Sequence, residues 1–143
     1  MATRGSRTRF AIDTSVAVAA LDASHEAHLP CRLVAAQHRP ALAGHAAFET
    51  YSVLTRLPGA ARVPPETAAV LVERAFPERC WLTPDQNQDL FVRLSSMRLS
   101  GGMVYDAMVG EAARLSNRML LTRDRRAQRT YDLIGVDVEF VAD

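Results

Sequence analysis

Apolar positions along the chain fall into two patterns, short unbroken runs and longer stretches with helical spacing. Arg9-Phe-Ala-Ile-Asp13 is an apolar run too brief for a helix, and it predicts a buried strand that ends in a carboxylate. Arg118-Met-Leu-Leu-Thr-Arg-Asp124 repeats that pattern late in the chain, and Asp137-Val-Glu-Phe-Val141 predicts a further strand. Shorter runs at Pro40–Ala43 and Arg79–Thr83 add two more. Between them, Leu29, Leu33, Val34 and Ala36 recur at near-helical spacing within 26–37, and Ala47, Tyr51, Leu54 and Leu57 do so within 45–57. Pro64-Pro65 opens a helix through Arg74, and Thr83-Pro84-Asp85 opens one towards Leu99 that Ser100-Gly-Gly102 ends. Helices over 104–115 and 126–134 complete the set, the last stopped by Gly135.

Strands alternating with helices predict a short parallel sheet flanked by helices, a three-layer α/β domain. Pro58-Gly59 and Pro64-Pro65 mark a loop inside the fold, because neither flank is long enough to bury its own core. Residues 8–143 are therefore expected to form one domain, with residues 1–7 as a flexible arm. At 143 residues and 48% apolar composition, the chain can bury a core without disulfides or a structural metal. Cys31 and Cys80 read as reduced thiols, and no apolar run reaches the length of a membrane span, so a cytoplasmic protein is expected.

Charge removes several function classes. Seventeen basic residues nearly balance sixteen acidic ones, so attraction to nucleic acid must be local. Every basic residue is an arginine. Without lysine there is no Walker A loop, no pyridoxal Schiff base and no phospho-receiver pocket.

Four carboxylates interrupt apolar sequence. Asp13 and Asp124 stand at the carboxyl ends of predicted strands, which share one edge in a parallel sheet, the usual ligand edge of such folds. Glu49 borders the apolar face of its helix, and Asp106 lies in the first turn of another, entered from Gly101-Gly102. Each has an ordinary alternative. Asp13 or Asp124 can cap the helix that follows, Asp106 can complement a helix dipole, and Glu49 can pair with an arginine. If the four converge, neighbouring charges ~4 Å apart repel by about 4 kcal/mol at an effective dielectric near 20. A divalent cation removes that cost, and an all-oxygen set suits Mg²⁺ or Mn²⁺ and phosphoryl chemistry.

The segments Ala11-Ile-Asp-Thr-Ser15, Ala47-Phe-Glu-Thr50, Gly101-Gly-Met-Val-Tyr-Asp-Ala107 and Leu120-Leu-Thr-Arg-Asp-Arg-Arg126 resemble, in order and spacing, the PIN-domain ribonucleases. Within that family the chain resembles the VapC-type toxins of toxin–antitoxin pairs, over 8–141. The resemblance implies a PIN-like three-layer fold with the first and fourth strands adjacent. It implies that Asp13, Glu49, Asp106 and Asp124 are the catalytic metal-binding set, supported by Thr14 or Thr122, with Mg²⁺ or Mn²⁺ as cofactor. It further implies an endoribonuclease acting on single-stranded or structured RNA such as tRNA, a homodimer, and silencing by a cognate antitoxin. A non-toxin RNA-processing nuclease and a non-catalytic binding module of the same fold are the alternatives.

An acidic pocket alone repels phosphate, so positive charge is expected around it. Arg114, Arg118, Arg123, Arg125, Arg126 and Arg129 cluster near Asp124 in the sequence, and Arg4, Arg7 and Arg9 precede Asp13; Arg123, Arg125 and Arg126 are the chosen RNA contacts. Aromatics at 6% argue against a broad stacking platform, and Trp81 and Phe48 read as core, whereas Tyr105 suits packing or substrate contact. His25 and His28 stand one helical turn apart but lack the partners a zinc site needs. Apolar surface around Val34 and Leu54 suits either an antitoxin groove or the core.

Overall fold

The computed structural model describes residues 7–142. Residues 1–6 and 143 lie outside the described residues, and with them most of the expected arm and Arg4. Five parallel strands, β1 (Phe10–Ile12), β2 (Ala41–Ala43), β3 (Arg79–Cys80), β4 (Met119–Thr122) and β5 (Val138–Phe140), form one sheet in the order β3-β2-β1-β4-β5. β1 and β4 are adjacent, with Ile12 opposite Leu121. Near-continuous apolar sequence in β1, β2 and β4 follows from burial on both faces.

Among the described residues, seven α-helices connect the strands: α1 (Thr14–Leu21), α2 (His28–His38), α3 (Ala46–Thr55), α4 (Pro65–Ala75), α5 (Pro84–Arg93), α6 (Met103–Leu115) and α7 (Gln128–Ile134). α1 packs on α2 and α3, and α3 on α4; α6 packs on α5 and α7 and crosses β2 and β4. The core between these layers includes Ile12, Leu42, Leu54, Phe76, Leu120 and Tyr131. Gly135, at φ +85°, closes α7 in the left-handed conformation that an L side chain adopts at a cost. Among the described residues, no helix is long and apolar enough to cross a membrane.

Several expectations change. α1 escaped the periodicity reading because Val16, Ala17, Ala19 and Ala20 are all buried, which leaves no polar face to mark a 3.6-residue period. α5 stops at Arg93 rather than running to Leu99; Arg98, at φ +55°, lies in the turn that follows. On α2, Leu29 and Leu33 face outward, while the small residues Ala27 and Cys31 are buried. Phe48 and Trp81 are not core: they are 63% and 52% exposed. β3 is an edge strand of two residues, so the chain leaves the sheet before Trp81. Leu54 belongs to the core and offers no groove.

Candidate active site

Parallel pairing brings the carboxyl ends of β1 and β4 level, and the Asp13 amide donates to the Leu121 carbonyl at 3.3 Å. Asp13 is the N-cap of α1, accepting from the Val16 amide at 3.3 Å through Oδ1. The same oxygen accepts from Ser15 Oγ at 2.5 Å. Oδ2 accepts from the Thr122 hydroxyl and from Tyr131 Oη, the latter at 2.8 Å. Asp13 is thus both a cap and a carboxylate fixed in orientation by four donors. Burial pushes its pKa up, and the donors from Ser15, Thr122, Tyr131 and Val16 pull back without reversing the shift.

Thr122 and Ser15 tie the two strand ends together. Thr122 Oγ1 accepts from the Asp124 amide at 3.0 Å, and Ser15 Oγ accepts from the Arg123 amide at 2.8 Å. Asp124 caps the 3₁₀ turn Arg125–Ala127 by accepting from the Arg126 amide at 3.0 Å. Glu49 comes from α3, which starts where β2 ends, and Asp106 comes from the first turn of α6.

These elements deliver Asp13, Glu49, Asp106 and Asp124 to the wall of one cavity of about 230 Å³, with Thr14, Ser15, Val109 and Tyr131. Their charges act on one another. Asp106 is pushed up from 3.8 to about 6, by burial first and then by Asp124, Glu49 and Asp13, with Arg126 opposing. Glu49 is raised by burial and by Asp13, against the opposing influence of His45, Thr14 and Arg56. Tyr131 is held far above its ordinary value by burial and the Asp13 carboxylate, so its hydroxyl keeps its proton.

The donor set fits a hard cation. No histidine or cysteine lines the cavity, and the buried Thr14 hydroxyl has no hydrogen-bond partner of regular geometry although Glu49 is near. Among the described residues, no three acidic, histidine or cysteine side chains stand close enough together, as placed, to hold a metal ion. The carboxylate and hydroxyl oxygens on the cavity wall are donors that suit Mg²⁺ or Mn²⁺, whereas zinc favours nitrogen and sulfur.

A family comparison decides what these four segments belong to: the PIN domain matches residues 10–133. The chain belongs to the PIN-domain family. This PIN domain is of the VapC type. It is 43% identical over 133 residues to Ribonuclease VapC27 of Mycobacterium tuberculosis (strain ATCC 25618 / H37Rv), covering 93% of this chain and 97% of that protein. It is 40% identical over 133 residues to Ribonuclease VapC40 of Mycobacterium tuberculosis (strain CDC 1551 / Oshkosh), covering 92% and 98%.

The arginines divide between two edges of this PIN domain. Arg126 has a 96% exposed side chain and a guanidinium 3.7 Å from Asp124, at the acidic edge. Arg123 donates to the Val141 carbonyl at 2.9 Å, and the Arg125 guanidinium lies 4.6 Å from the centre of the Phe140 ring. Arg7, Arg9, Arg114 and Arg118 instead line a groove at the amino ends of the strands. They are not grouped around the acids, because β1 and β4 carry the chain across the whole sheet between Arg9 and Asp13 and between Arg118 and Asp124. Arg118 there donates to the Phe10 carbonyl and pairs with Glu78 at 2.9 Å.

Two buried polar residues carry roles that no motif marks, Tyr131 in the site and Glu111 away from it. Tyr131 lines the site from five residues beyond the Leu120–Arg126 segment, and its polar sequence neighbours Thr130 and Asp132 give no sign of its burial. Glu111, on the side of α6 turned away from Asp106, is fully buried, bound by Arg93 and by Arg114 at 2.5 Å. Arg114, three residues further along α6, was its one visible signal. His25 and His28 serve the backbone: the His25 ring accepts from the Ala27 amide at 3.0 Å, and the His28 ring lies 2.9 Å from the Ala19 carbonyl.

Proposed function

We propose that this PIN domain is a metal-dependent endoribonuclease of the VapC type, in which Asp13, Glu49, Asp106 and Asp124 hold Mg²⁺ or Mn²⁺. The observation that carries the reading is the shared cavity, with Asp106 raised by the other three acids at once. When bound, the cation supplies a water acidic enough to attack and an electrophile for the phosphate oxygens. The chain's own part is positional. Ser15, Thr122 and Tyr131 fix the Asp13 carboxylate, and the Thr122 and Ser15 hydroxyls also set the course of the chain into Asp124. Arg126, exposed beside Asp124, is the guanidinium best placed to meet a phosphodiester, with Arg123 and Arg125 behind it.

The substrate we propose is single-stranded or looped RNA, tRNA included, cut in the cytoplasm. A cognate antitoxin protein silences the enzyme, which acts as a homodimer, and the described residues from Thr8 onward fold as one unit. The names of the relatives, Ribonuclease VapC27 and Ribonuclease VapC40, support the toxin reading over a processing nuclease. The direct test is incubation with single-stranded RNA. Mn²⁺-dependent cleavage that EDTA abolishes, and that Asp106→Asn lowers by ~100-fold or more, supports the proposal; cleavage unchanged in that variant removes it.

A further inference from the structure

Phe48 and Trp81 lie at the surface with ring centroids 5.7 Å apart. His45 stands 6.2 Å from Phe48 and stacks on Tyr105, with centroids 4.8 Å apart and planes within 14°. Tyr105 is itself 49% exposed. Four rings from three separate segments, at the start of α3, just after β3 and in the first turn of α6, therefore form one connected surface strip.

The strip borders the acidic cavity at its Glu49 end, where His45 acts on the Glu49 charge. Phe48 and Tyr105 directly precede Glu49 and Asp106 in sequence, and His45 is one helical turn before Glu49. The chain has one tryptophan, three tyrosines and five phenylalanines, so placing its sole tryptophan and two further aromatics in water at this edge is a costly choice for a core-building sequence.

We infer that this strip is a nucleobase platform, on which an unpaired base next to the scissile phosphate stacks against the rings of Tyr105, Phe48 or Trp81. The inference rests on the nuclease reading of the cavity and adds the form of RNA it takes. Flat, exposed ring faces suit the π-face that every base presents, so binding is tolerant of sequence. Bases stacked inside a duplex cannot reach them, so the strand must be single or splayed. The 6% aromatic content does not oppose this, since a local strip needs few rings.

Trp81 provides the readout, because intrinsic tryptophan emission reports it alone. The full chain carrying Asp106→Asn, in Mn²⁺, is titrated with a mixed-sequence 12-nucleotide RNA, the same strand annealed to its complement, and an abasic strand of equal length. The platform predicts saturable quenching by the single strand and none by the other two. Phe48→Ala and Tyr105→Leu, both at exposed positions, each weaken binding by about 5- to 150-fold with unchanged melting temperature. Equal affinity for the abasic strand, or unaltered binding by both variants, overturns it. So does Trp81 emission that follows protein concentration and ignores RNA, since a second copy then covers the strip. Wild-type protein that cleaves no RNA refutes the nuclease reading, whereas cleavage with a Trp81 blind to bases refutes the platform alone.

Discussion

Tyr131 donates a 2.8 Å hydrogen bond to Asp13, joining α7 to the end of β1 across 118 positions of sequence. The tyrosine is buried and the acceptor is charged, so this bond belongs to the stronger class, about 1.5–3 kcal/mol. Tyr131→Phe keeps the ring and removes only the donor. A fall in stability of about 1–3 kcal/mol is expected by urea denaturation at an unchanged slope. Loss of a ligand's orienting partner typically costs 10- to 100-fold in metal affinity, so Mn²⁺ binding should weaken on the same scale. Affinity equal to wild type would show that Asp13 is held well enough without it.

Gly110 is what lets the Tyr131 ring reach that position. A Cβ at residue 110 would stand 3.1 Å from Tyr131 Cδ1, with Val136 Cγ1 at 3.4 Å and Ile134 Cγ2 at 3.5 Å. Alanine gains about 1 kcal/mol of helix propensity, but overpacking costs about 1–3 kcal/mol, and a ring pinned at its hydroxyl end has little freedom to yield. Gly110→Ala should therefore destabilise the protein, by roughly 1 kcal/mol net. A higher melting temperature in this variant would mean that α7 shifts freely.

Asp106→Asn and Asp13→Ala should shift stability in opposite directions, because the first relieves charge and the second deletes a hydrogen-bonded cap. Asp106 titrates near 6 in the folded protein against an ordinary 3.8, so the folded state binds more protons than the unfolded state between those values. Its contribution to stability consequently falls as pH rises from about 4 to 6. Asp106→Asn should raise the melting temperature of metal-free protein at pH 7 and flatten that slope. Asp13→Ala removes the α1 cap and leaves Thr122 and Tyr131 without their acceptor, so a loss of at least about 2 kcal/mol is expected. A lower melting temperature for Asp106→Asn would contradict the crowding of negative charge.

Glu111 contributes stability that acid removes. Burial works to raise its pKa, but hydrogen bonds and charge from Arg114 and Arg93 win and hold it below 4.5. The stability it supplies is complete above pH 4.5 and disappears as pH drops through the lower folded value. Glu111→Ala should cost about 2 kcal/mol or more at pH 7, since it unties α5 from α6. That penalty should shrink in acid; a penalty independent of pH would mean packing alone is lost.

The acidic edge was legible in the sequence because a parallel strand delivers its last residue to a known place, and β1 and β4 each announce their end with an apolar-to-acidic break. The order β3-β2-β1-β4-β5 bears out the expected adjacency of the first and fourth strands. What escaped was information held in packing. α1 is buried too completely to show a period, and Leu29 and Leu33 look like a core stripe although α2 turns its small residues inward. Arg114 and Arg118 are close to Asp124 along the chain yet lie at the other end of β4. Tyr131 reaches Asp13 only through the α6–α7 contact, which no local pattern encodes.

Calorimetric titration of Mn²⁺ into the metal-free chain at pH 7, beside Asp106→Asn and Asp124→Asn, tests the shared carboxylate cavity most directly. Saturable binding by the wild type, weakened at least tenfold in each variant, is the predicted result. Wild type and both variants binding Mn²⁺ alike, or none binding it at all, would contradict it.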